Sequence, residues 1–551
     1  MLIRKLRPLT GPARQSRSAR PGYVLFAVLI VVVVLSLAAY RYAESMSTEL
    51  QVAVRTSEAS ESKANAASGV HYAIGMLSDP TTLRNTLGGN PYDNKDHFSG
   101  IAIGDATAKR GGGRFALINV SDAGVGSGSE RYPLRYGVMD ECAKLNINSL
   151  ILQDSTGDAL YTALLLLPNM TEEIADAIVD WVDADETQRP NGAEAGVYQG
   201  LNPPYACKNG PISSLEELLL VRGVTPQLLF GNDRNRNGVL DAGEDDGSEL
   251  SRGWCEYLTC YGREVNIDSE GLTRIDLNTP DLATLSEQLT PILGQDLSDY
   301  IVYTRSTNKA VAAAPLQAPS TTTLRVEING RTTTTTQVQA GQVAVPASQL
   351  RDLVQQIVDA KGQGVRKLSS TMTLFNTQIP LTAPPSPPGM PPQPVPIVAC
   401  PLNDPDQLKQ ILPVLLDKTS ASTGYELSPR INVNSAPREV LMTLPGLVDT
   451  EVDTLISTRS TLTPTDPTTL SGAWIVTRAN LSADKFKNIE KYISGRTFTY
   501  RIHSVGYFGK AGGPVSRVEA VVDVALGTPR ILYYRDLTDL GRGFTDASLP
   551  R

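Results

Sequence analysis

The chain has 551 residues, long enough for two or three compact units, and its composition is that of a folded protein. Its formal net charge is −8, and its first 22 residues hold six basic and no acidic side chains. The remainder has 44 basic against 58 acidic residues, a balance that argues against nucleic-acid binding. Five cysteines and three dispersed histidines argue against a disulfide scaffold, a zinc site and a histidine-based catalytic site. Proximity along the chain makes Cys255 and Cys260 the favoured disulfide pair.

The run from Tyr23 to Tyr40 contains no charged residue and is closed by Arg41. It nearly reaches the length of about 20 apolar residues that a membrane-spanning helix needs. Because the residues before it are basic, we expect the N-terminus to stay in the cytoplasm and the rest of the chain to be exported. The sequence therefore predicts a single-pass membrane anchor, with its N-terminus in the cytoplasm and the bulk of the protein outside.

Pro21-Gly22-Tyr23 places a glycine and an aromatic residue where the basic leader meets the apolar run. This junction resembles the type III signal of the type IV pilin and pseudopilin family, in which prepilin peptidase cleaves after the glycine. The resemblance implies cleavage between Gly22 and Tyr23; an uncleaved anchor is the alternative. Most members of that family have glutamate as the fifth mature residue, whereas this chain has Ala27, as in the large minor pseudopilin K of type II secretion systems.

Beyond Arg41 the chain becomes polar but keeps apolar residues at spacings of three and four through Leu77. This spacing predicts that the membrane helix continues outward as an amphipathic helix. Strand-like segments then occur near both ends of the exported part, and the predicted strands are 115–120, 132–138, 497–507 and 515–526. The sequence therefore predicts one sheet interrupted by an insertion from about Asp140 to Ser494.

The insertion is predicted to be mainly helical and contains one phrase three times. Leu145–Ser149, Ile275–Thr279 and Ile431–Ser435 each alternate apolar residues with Asn or Asp and end in Asn-Ser or Asn-Thr. Side-chain oxygens at such an end can accept hydrogen bonds from the free N–H groups of a following helix. Each phrase therefore predicts a short strand that leads into a capped helix.

The third phrase is followed by Arg438–Leu447 and then Thr450–Arg459, which together predict a helix, a tight hairpin and a second helix. The first phrase leads to a looser version of the same helix-hairpin-helix pattern. Such units often bind DNA through hairpin amides that contact a phosphate. Here Val448 stands in place of the second glycine of the DNA-binding form, and Asp449 adds a carboxylate. We therefore expect these helices to pack rather than to contact DNA.

Two stretches have low-complexity composition. Residues 306–346 are rich in Thr, Ala and Val, and residues 380–396 are rich in proline. We interpret both stretches as unstructured linkers or insertions rather than core, and the proline-rich one as an extended spacer.

The segment from Asp233 to Glu244 has the spacing of an EF-hand calcium loop, with glycine at its sixth position. Calcium prefers six to eight oxygen ligands, and every ligand position of this loop is filled. The predicted calcium ligands are Asp233, Asn235, Asn237, the Val239 carbonyl, Asp241 and Glu244. Paired EF-hand helices are not evident, so we expect a structural clamp rather than a sensor. The alternative is a solvated acidic loop.

A second acidic cluster comprises Asp180, directly before Trp181, and Asp183, Asp185 and Glu194 between Trp181 and Tyr198. Its spacing fits no metal loop that we can derive, and a charged turn is the simpler interpretation. We keep Asp183, Asp185 and Glu194 as a second candidate metal site.

A longer series of motifs is similar to the type II secretion pseudopilin K family. The motifs are Asp140-Glu141 followed by Lys144-Leu-Asn146-Ile-Asn148, the WxDAD…GAE segment 181–194, Pro203-Pro204-Tyr205, Lys208-Asn209-Gly210, Ser214–Leu220 and Arg530–Asp536. The resemblance implies a pseudopilin α/β domain with a large helical insertion and bound calcium. It also implies a place at the tip of the pseudopilus with minor pseudopilins I and J.

The predicted fold class is α+β: a long N-terminal transmembrane helix packed on a small antiparallel sheet, with a large, mainly α-helical inserted domain that contains helix-hairpin-helix-like units. The predicted segments are a leader (1–22), the transmembrane and amphipathic helix (23–78), the first part of the α/β domain (79–139), the insertion (140–494) with its calcium loop (233–244), and the last strands and C-terminal tail (495–551).

The predicted function is that of a non-enzymatic minor pseudopilin that helps to initiate pseudopilus assembly and protein export. Its predicted partners are other pseudopilus subunits, prepilin peptidase and the inner membrane, and no nucleic acid. The alternatives are a membrane-anchored DNA receptor and a type IV pilus minor subunit. An exported hydrolase would need a nucleophile with a nearby base or a catalytic carboxylate pair, and no such arrangement stands out.

Overall fold

The computed structural model describes residues 21–104, 111–119, 134–238, 241, 243–244, 253–307, 310–314, 316–318, 320–328, 331–339, 341–388, 390–463, 466–525, 527–545 and 548–550. The chain divides into two compact units, 1–61 and 62–551. The α-helices are α1 (Pro21–Ser78), α2 (Pro80–Asn85), α3 (Lys95–Phe98), α4 (Ile147–Gln153), α5 (Asp158–Leu164), α6 (Glu172–Val182), α7 (Ala195–Gln199), α8 (Pro226–Phe230), α9 (Leu282–Leu293), α10 (Gln295–Ser306), α11 (Arg351–Asp359), α12 (Pro405–Lys418), α13 (Arg438–Met442), α14 (Asp449–Arg459), α15 (Trp474–Thr477) and α16 (Ala483–Ile489). The strands are β1 (Ile101–Ile103), β2 (Gly113–Asn119), β3 (Arg135–Tyr136), β4 (Met139–Asp140), β5 (Leu145–Asn146), β6 (Leu258–Thr259), β7 (Glu264–Val265), β8 (Ile275–Asp276), β9 (Val311–Ala312), β10 (Ser320–Ile328), β11 (Arg331–Gln339), β12 (Gln342–Val345), β13 (Thr377–Pro380), β14 (Val395–Ala399), β15 (Thr419–Ser420), β16 (Glu426–Leu427), β17 (Ile431–Asn432), β18 (Ile493–Ser494), β19 (Thr499–Phe508), β20 (Ser516–Asp523) and β21 (Arg530–Asp536).

In the first unit, the described residues form the N-terminal part of α1. Its apolar side chains from Tyr23 to Tyr40 are exposed. Among the described residues, α1 is the one helix that is long and apolar enough to cross a membrane by length and composition. A helix with an exposed apolar surface of this length is suited to a lipid environment. The helix predicted through Leu77 is confirmed, because α1 ends at Ser78.

The second unit contains a seven-stranded sheet in which all strand pairs are antiparallel. Its main order is β1-β2-β19-β20-β21, with β3 beside β2 and β4 beside β19. In the register, Phe115 of β2 lies opposite Gly506 of β19, and Ile502 of β19 lies opposite Ala520 of β20. The strands predicted near the two ends of the exported part therefore lie side by side.

One face of this sheet packs against the helical residues 62–78 of the same unit. The buried residues of this contact are Ala66, Val70, Ala73, Leu77, Phe115, Leu117, Ile502, Val518, Ala520 and Val522, among others. Gly506 allows the close approach, since a Cβ atom there would lie 2.1 Å from the carbonyl oxygen of Ser62. The fold is therefore α+β, as predicted.

The opposite face of the sheet is covered by the C-terminal tail, which we define as residues 541–550. Phe544 and Leu549 of the tail share a buried cluster with Ile118 and Val505. The hydroxyl of Tyr507 donates a hydrogen bond to the carbonyl of Pro550. Because strand side chains alternate between faces, both faces of the sheet are apolar and both are covered.

The inserted segment is organised by its three phrases. Each phrase begins with a two-residue strand, and each of these strands pairs in parallel with a strand further along the chain. The pairs are β5 with β6, β8 with β15, and β17 with β18. The largest buried cluster of the molecule extends through all three phrases and the helices between them.

The predicted capping role is wrong for the asparagine at the fourth position of each phrase. Its side chain instead bridges two backbone segments. The Asn148 side chain donates hydrogen bonds to the carbonyls of Ile212 and Cys260 and accepts one from the Ile212 N–H. The Asn278 side chain donates to the carbonyls of Leu368 and Ala421 and accepts from the Leu368 N–H. The Asn434 side chain donates to the carbonyls of Thr469 and Gly495 and accepts from the Trp474 indole N–H. A carboxamide both donates and accepts, so it satisfies backbone groups that a two-residue strand leaves unpaired. Only in the first phrase does a residue cap the next helix, namely Asn146, which accepts from the Ser149 N–H.

The interpretation of residues 306–346 as a linker is wrong for most of that range. Strands β10 and β11 pair over nine residues each, and β12 joins a four-stranded sheet of order β12-β14-β13-β9. Threonine is β-branched and favours strands, and Asn329-Gly330 between the two strands is a two-residue hairpin signature. By contrast, residues 381–394 form no helix or strand where the structure describes them.

The predicted Cys255–Cys260 disulfide is also wrong. None of the five cysteines forms a disulfide, and all five lie within the described residues. Cys255 lies in a 3-10 turn and Cys260 follows strand β6, so β6 separates them. Burial raises the pKa of both thiols to about 12.

Candidate functional site

The predicted calcium loop is described at positions 233–238, 241 and 243–244, and Val239 lies outside the described residues. Asp233 closes the start of the loop. Its Oδ1 accepts a hydrogen bond from the Asn237 N–H at 3.2 Å, and its Oδ2 accepts one from the Gly238 N–H at 2.7 Å. Gly238 has φ of +74°, the left-handed conformation that glycine tolerates best. The glycine at the sixth position thus makes the sharp turn that the spacing predicts.

The far end of the loop folds back on its start. Glu244 accepts hydrogen bonds from the Arg234 N–H at 3.1 Å and the Asp241 N–H at 3.2 Å. The Asp241 carboxylate accepts hydrogen bonds from the side-chain amides of Asn235 at 2.8 Å and Asn237 at 3.3 Å. The five described side chains of the predicted ligand set therefore form one connected group.

The donor chemistry of this loop suits a hard cation. Its side-chain ligands are all oxygen donors, the type that calcium prefers. The Asn235 Oδ1 atom is buried and has no hydrogen-bond partner. The pKa of Asp233 is raised, first by burial and also by the charge of Glu244. A bound cation would satisfy the orphaned oxygen and offset the carboxylate repulsion.

The loop is held from outside by the sheet and the C-terminal tail. Arg517, on β20, is fully buried, and its guanidinium donates hydrogen bonds to the carbonyls of Asn235, at 2.8 Å, and Arg236. The Asn237 side chain donates to the carbonyl of Gly543 in the tail at 2.6 Å. Burial lowers the pKa of Arg517 to about 10. These contacts tie the loop backbone to two elements that are far from it in sequence.

The second acidic cluster is assembled from the end of α6, the start of α7 and the chain that follows. Asp183 is the C-cap residue of α6, and Glu194 is the N-cap residue of α7. Both are buried, at 7% and 6% exposure. Asp185 is exposed, and its carbonyl accepts a hydrogen bond from the Asn209 side chain at 2.7 Å.

The oxygen atoms of this cluster are largely unsatisfied. Asp183 Oδ1, Glu194 Oε1 and Asn209 Oδ1 are each buried without a hydrogen-bond partner. The pKa of Asp183 is raised to about 7, first by burial and then by the charges of Asp185, Asp180 and Glu194. The pKa of Asp180 is raised to about 6, chiefly by burial. Such a group of buried acids is costly without a cation or protons to offset the charge.

Sequence reasoning missed Asn209 as a member of this cluster. The signal was present only as part of the Lys208-Asn209-Gly210 motif, because no local spacing connects position 209 with positions 183 and 194. Among the described residues, no three His, Cys, Asp or Glu side chains are already placed to hold one metal ion. The oxygen donors at both centres are of the type that suits a hard cation. Because they are not yet close enough together, metal binding would require these side chains to move toward one another.

The predicted processing residues Gly22 and Tyr23 lie in the first turn of α1. Tyr23 is exposed, with 80% of its surface accessible. Ala27 is also exposed.

Comparison with known proteins gives matches in the inserted segment. Residues 143–230 match the family model described as type II secretion system (T2SS), protein K. Type II secretion system protein K of Pectobacterium carotovorum subsp. carotovorum is 41% identical over 70 residues, which cover 12% of this chain and 21% of the relative. The Aeromonas hydrophila protein of the same name is 35% identical over 105 residues, which cover 16% of this chain and 32% of the relative.

A solved structure, the GspK-GspI-GspJ complex from the enterotoxigenic Escherichia coli type 2 secretion system, contains a similar chain. The likeness covers 87% of this chain and 97% of that chain, at 12% identity and a TM-score of 0.32. The curated relatives are matched over only about a fifth to a third of their own length.

The matched segment contains the acidic cluster and ends just before the loop 233–244. Over this segment the chain is similar to the type II secretion system protein K family, and the two curated relatives carry the same name.

Proposed function

We propose that the protein is a minor pseudopilin of a type II protein secretion system, located at the tip of the periplasmic pseudopilus, where it helps to initiate assembly and protein export. The observation that carries this proposal is the family match over residues 143–230. The basic leader, the apolar helix and the exposed Tyr23 support it, because a pseudopilin needs a signal that prepilin peptidase can reach.

The tip position is supported by the residue at position 27. In pseudopilin assembly, a glutamate at the fifth mature position is thought to meet the free amine of the subunit already in place, a pair that apolar lipid strengthens. Ala27 offers no such carboxylate, whereas the amine of Tyr23 can receive the glutamate of the next subunit. The large segment inserted between β4 and β19 would also clash with neighbours inside a helical shaft but not at its end.

The proposed partners are minor pseudopilins I and J, other pseudopilus subunits and prepilin peptidase. The proposed location is the inner membrane, with one span and the bulk of the chain in the periplasm. Calcium is the proposed metal of the loop 233–244 and of the acidic cluster, and we propose no catalytic residue. When bound, calcium supplies positive charge and coordination to the oxygen atoms described above, and its role is to stabilise the fold.

The charge around helices α13 and α14 disfavours the alternative of a DNA receptor. The first turn of α14 carries Asp449 and Glu451. Arg438, at the start of α13, is already engaged by Asp449 at 2.6 Å and Asp453 at 3.0 Å. An acidic helix N-terminus repels a phosphate rather than binding it.

The tip position can be tested by immunogold labelling of overproduced pseudopili. We expect label confined to one end of each fibre. Label along the shaft would contradict the tip position, and normal fibres in cells that lack the protein would contradict a role in initiation.

Processing can be tested by N-terminal sequencing of the membrane-bound protein, which should begin at Tyr23. Gly22→Val should leave the leader attached. A start at Met1 in the wild-type protein would indicate an uncleaved anchor and would contradict the pseudopilin assignment.

A further inference from the structure

A cavity of about 290 Å³ with a mixed polar and apolar lining lies between the second and third phrases of the inserted segment. It is bordered by Thr419 and Ser420 of β15 and by Ile493 and Ser494 of β18, the strands that pair with these two phrases. The cavity is far in sequence from both candidate metal centres. Its volume is near the lower limit of small-molecule sites, which range from about 300 to 1,000 Å³.

Arg274 lines this cavity and is only 8% exposed. Its Nε donates a hydrogen bond to the Asp417 carbonyl at 3.0 Å. Within the described residues, its two terminal nitrogens make no hydrogen bond or ion pair. A buried guanidinium has five N–H donors, and leaving several of them without a partner is costly.

The carboxylates nearest Arg274 are engaged by other groups. Arg430 also lines the cavity, and it donates from Nε to Glu264 Oε2 at 2.7 Å and from Nη2 to Glu264 Oε1. The Asp417 carboxylate is held by the backbone N–H and the hydroxyl of Ser269. The pKa of Arg274 is lowered to about 9, first by burial and then by the charges of Arg496 and Arg430, while the charges of Glu264 and Asp417 offset part of this effect. The terminal nitrogens of Arg274 nevertheless make no direct contact with either carboxylate.

Hydroxyl groups supply the remaining polar surface. Nine of the lining residues are serine or threonine, but the hydroxyls of Ser370, Thr371, Thr419 and Ser420 already donate hydrogen bonds within the protein. The hydroxyl of Ser471 is buried and has no partner. Glu490 is the one acidic residue of the lining, and its carboxylate accepts hydrogen bonds from the hydroxyls of Ser370 and Thr371.

We propose that this cavity binds a small carboxylate, with Arg274 as its principal hydrogen-bond donor and Ser471 as a second donor. Arginine presents a planar pair of N–H groups that matches a carboxylate. The ligand is either a free small-molecule acid or the terminal carboxylate of a peptide, because the cavity is too small for a folded partner.

The proposal can be tested with full-length protein in detergent micelles, by calorimetric titration and thermal unfolding at constant ionic strength. The probes are succinate and its neutral dimethyl ester, and a tripeptide with a free C-terminus and its amide. We expect binding of at least one acid and of neither neutral analogue. Binding of succinate identifies a small-molecule site, and binding of the peptide acid alone identifies a site for a chain terminus.

Substitutions of the residues that line the cavity test whether the ligand binds there. Arg274→Met should weaken binding at least about tenfold, since charge-assisted hydrogen bonds are lost, while Arg274→Lys should retain part of it. Arg351→Met is the matched control, because Arg351 is a half-exposed arginine elsewhere on the surface, and it should bind as the wild type does. Ser471→Ala should weaken binding without loss of stability, because its hydroxyl has no partner in the protein.

Equal responses to acid and neutral analogue would overturn the proposal, as would equal binding by Arg274→Met and Arg351→Met. If Arg274→Met fails to fold, Arg274→Lys and Ser471→Ala decide the outcome, and unchanged affinity in both would overturn it. The proposal does not depend on the pseudopilin assignment.

Discussion

The loop 233–244 and the acidic cluster around Asp183 both offer oxygen atoms to a cation, but they differ in how those atoms are satisfied. In the loop, Asp233 and Glu244 accept backbone hydrogen bonds from within the loop itself. In the cluster, one side-chain oxygen of each of Asp183, Glu194 and Asn209 is buried without a partner. The loop is thus organised before a metal arrives, whereas the cluster carries unrelieved charge.

The difference reflects how each centre is encoded. The loop is one continuous motif, so its spacing can be recognised in the sequence, and it lies beyond the family-matched segment. The cluster lies within that segment and is built from two helix ends and a later turn. A centre assembled by the fold depends on tertiary packing for its geometry, so we expect its titration and its metal affinity to be coupled to folding.

The largest expected effect is the loss of calcium. Wild-type protein should bind two calcium ions, whereas Asp233→Asn with Glu244→Gln, and separately Asp183→Asn with Glu194→Gln, should each bind one. Chelation should lower the free energy of unfolding by about 2.7 kcal/mol for each site filled at a hundredfold excess over its dissociation constant. Titration calorimetry and chemical denaturation measure both quantities. A loop variant that keeps two ions would show that the loop is merely solvated.

The pH dependence of the metal-free protein should separate the two centres. The pKa of Asp183 is raised from 3.8 to about 7, so the folded state binds more protons than the unfolded state between these values. The metal-free protein should therefore lose stability as pH rises from about 4 to 7. Asp183→Asn should flatten this slope, while Asp233→Asn should change it less. Denaturant midpoints measured from pH 4 to 8 provide the check, and an equal slope in the Asp183 variant would refute it.

Arg517 should affect the loop and leave the cluster unchanged. Arg517→Met removes the hydrogen bonds that hold the Asn235 and Arg236 carbonyls, so the loop should lose about tenfold in calcium affinity. Arg530→Met on the exposed end of β21 is the matched control and should have no effect. Titration calorimetry on protein that also carries Asp183→Asn and Glu194→Gln measures calcium binding at the loop alone. Equal losses in the two arginine variants would indicate a general charge effect.

The smallest expected effect is at Gly543. Its φ is +67°, and a Cβ atom there would lie 2.5 Å from Arg517 Nη1. Gly543→Ala should therefore destabilise the protein by about 1 kcal/mol and make the C-terminal tail easier to cleave, with calcium partly restoring protection. Limited proteolysis with and without calcium measures this. Gly527→Ala is the control, because it also has positive φ but open space around its Cβ.

Much of the fold could be predicted from local patterns. The uncharged run before Arg41 indicates the N-terminal helix, and alternating apolar residues indicate β2, β19 and β20. These signals are local because a helix face and a strand face are set by the chain's own periodicity. The EF-hand-like spacing of the loop 233–244 is recognisable for the same reason.

The other features of the fold and of the candidate sites depend on contacts between segments that are distant in sequence. Nothing near Asn148 in the sequence reveals that its side chain joins positions 212 and 260, so a capping role was the natural and wrong expectation. The hairpin of β10 and β11 did have a local signal in Asn329-Gly330, which was hidden by the low-complexity composition around it. The acidic cluster required Asn209, which only the tertiary fold brings to Asp183.

The place of β19 between β2 and β20 has a consequence for the order of folding. The chain of β2 ends at Asn119, and β19 begins at Thr499, so an N-terminus-first export would bring the whole inserted segment across the membrane before this pairing could form. Long-range pairings of this kind form slowly. Until β19 arrives, β2 exposes a strand edge, and the helical residues 62–78 lack most of the surface on which they pack. A chain that ends before β19 therefore lacks the central strand of this sheet and much of the surface on which residues 62–78 pack.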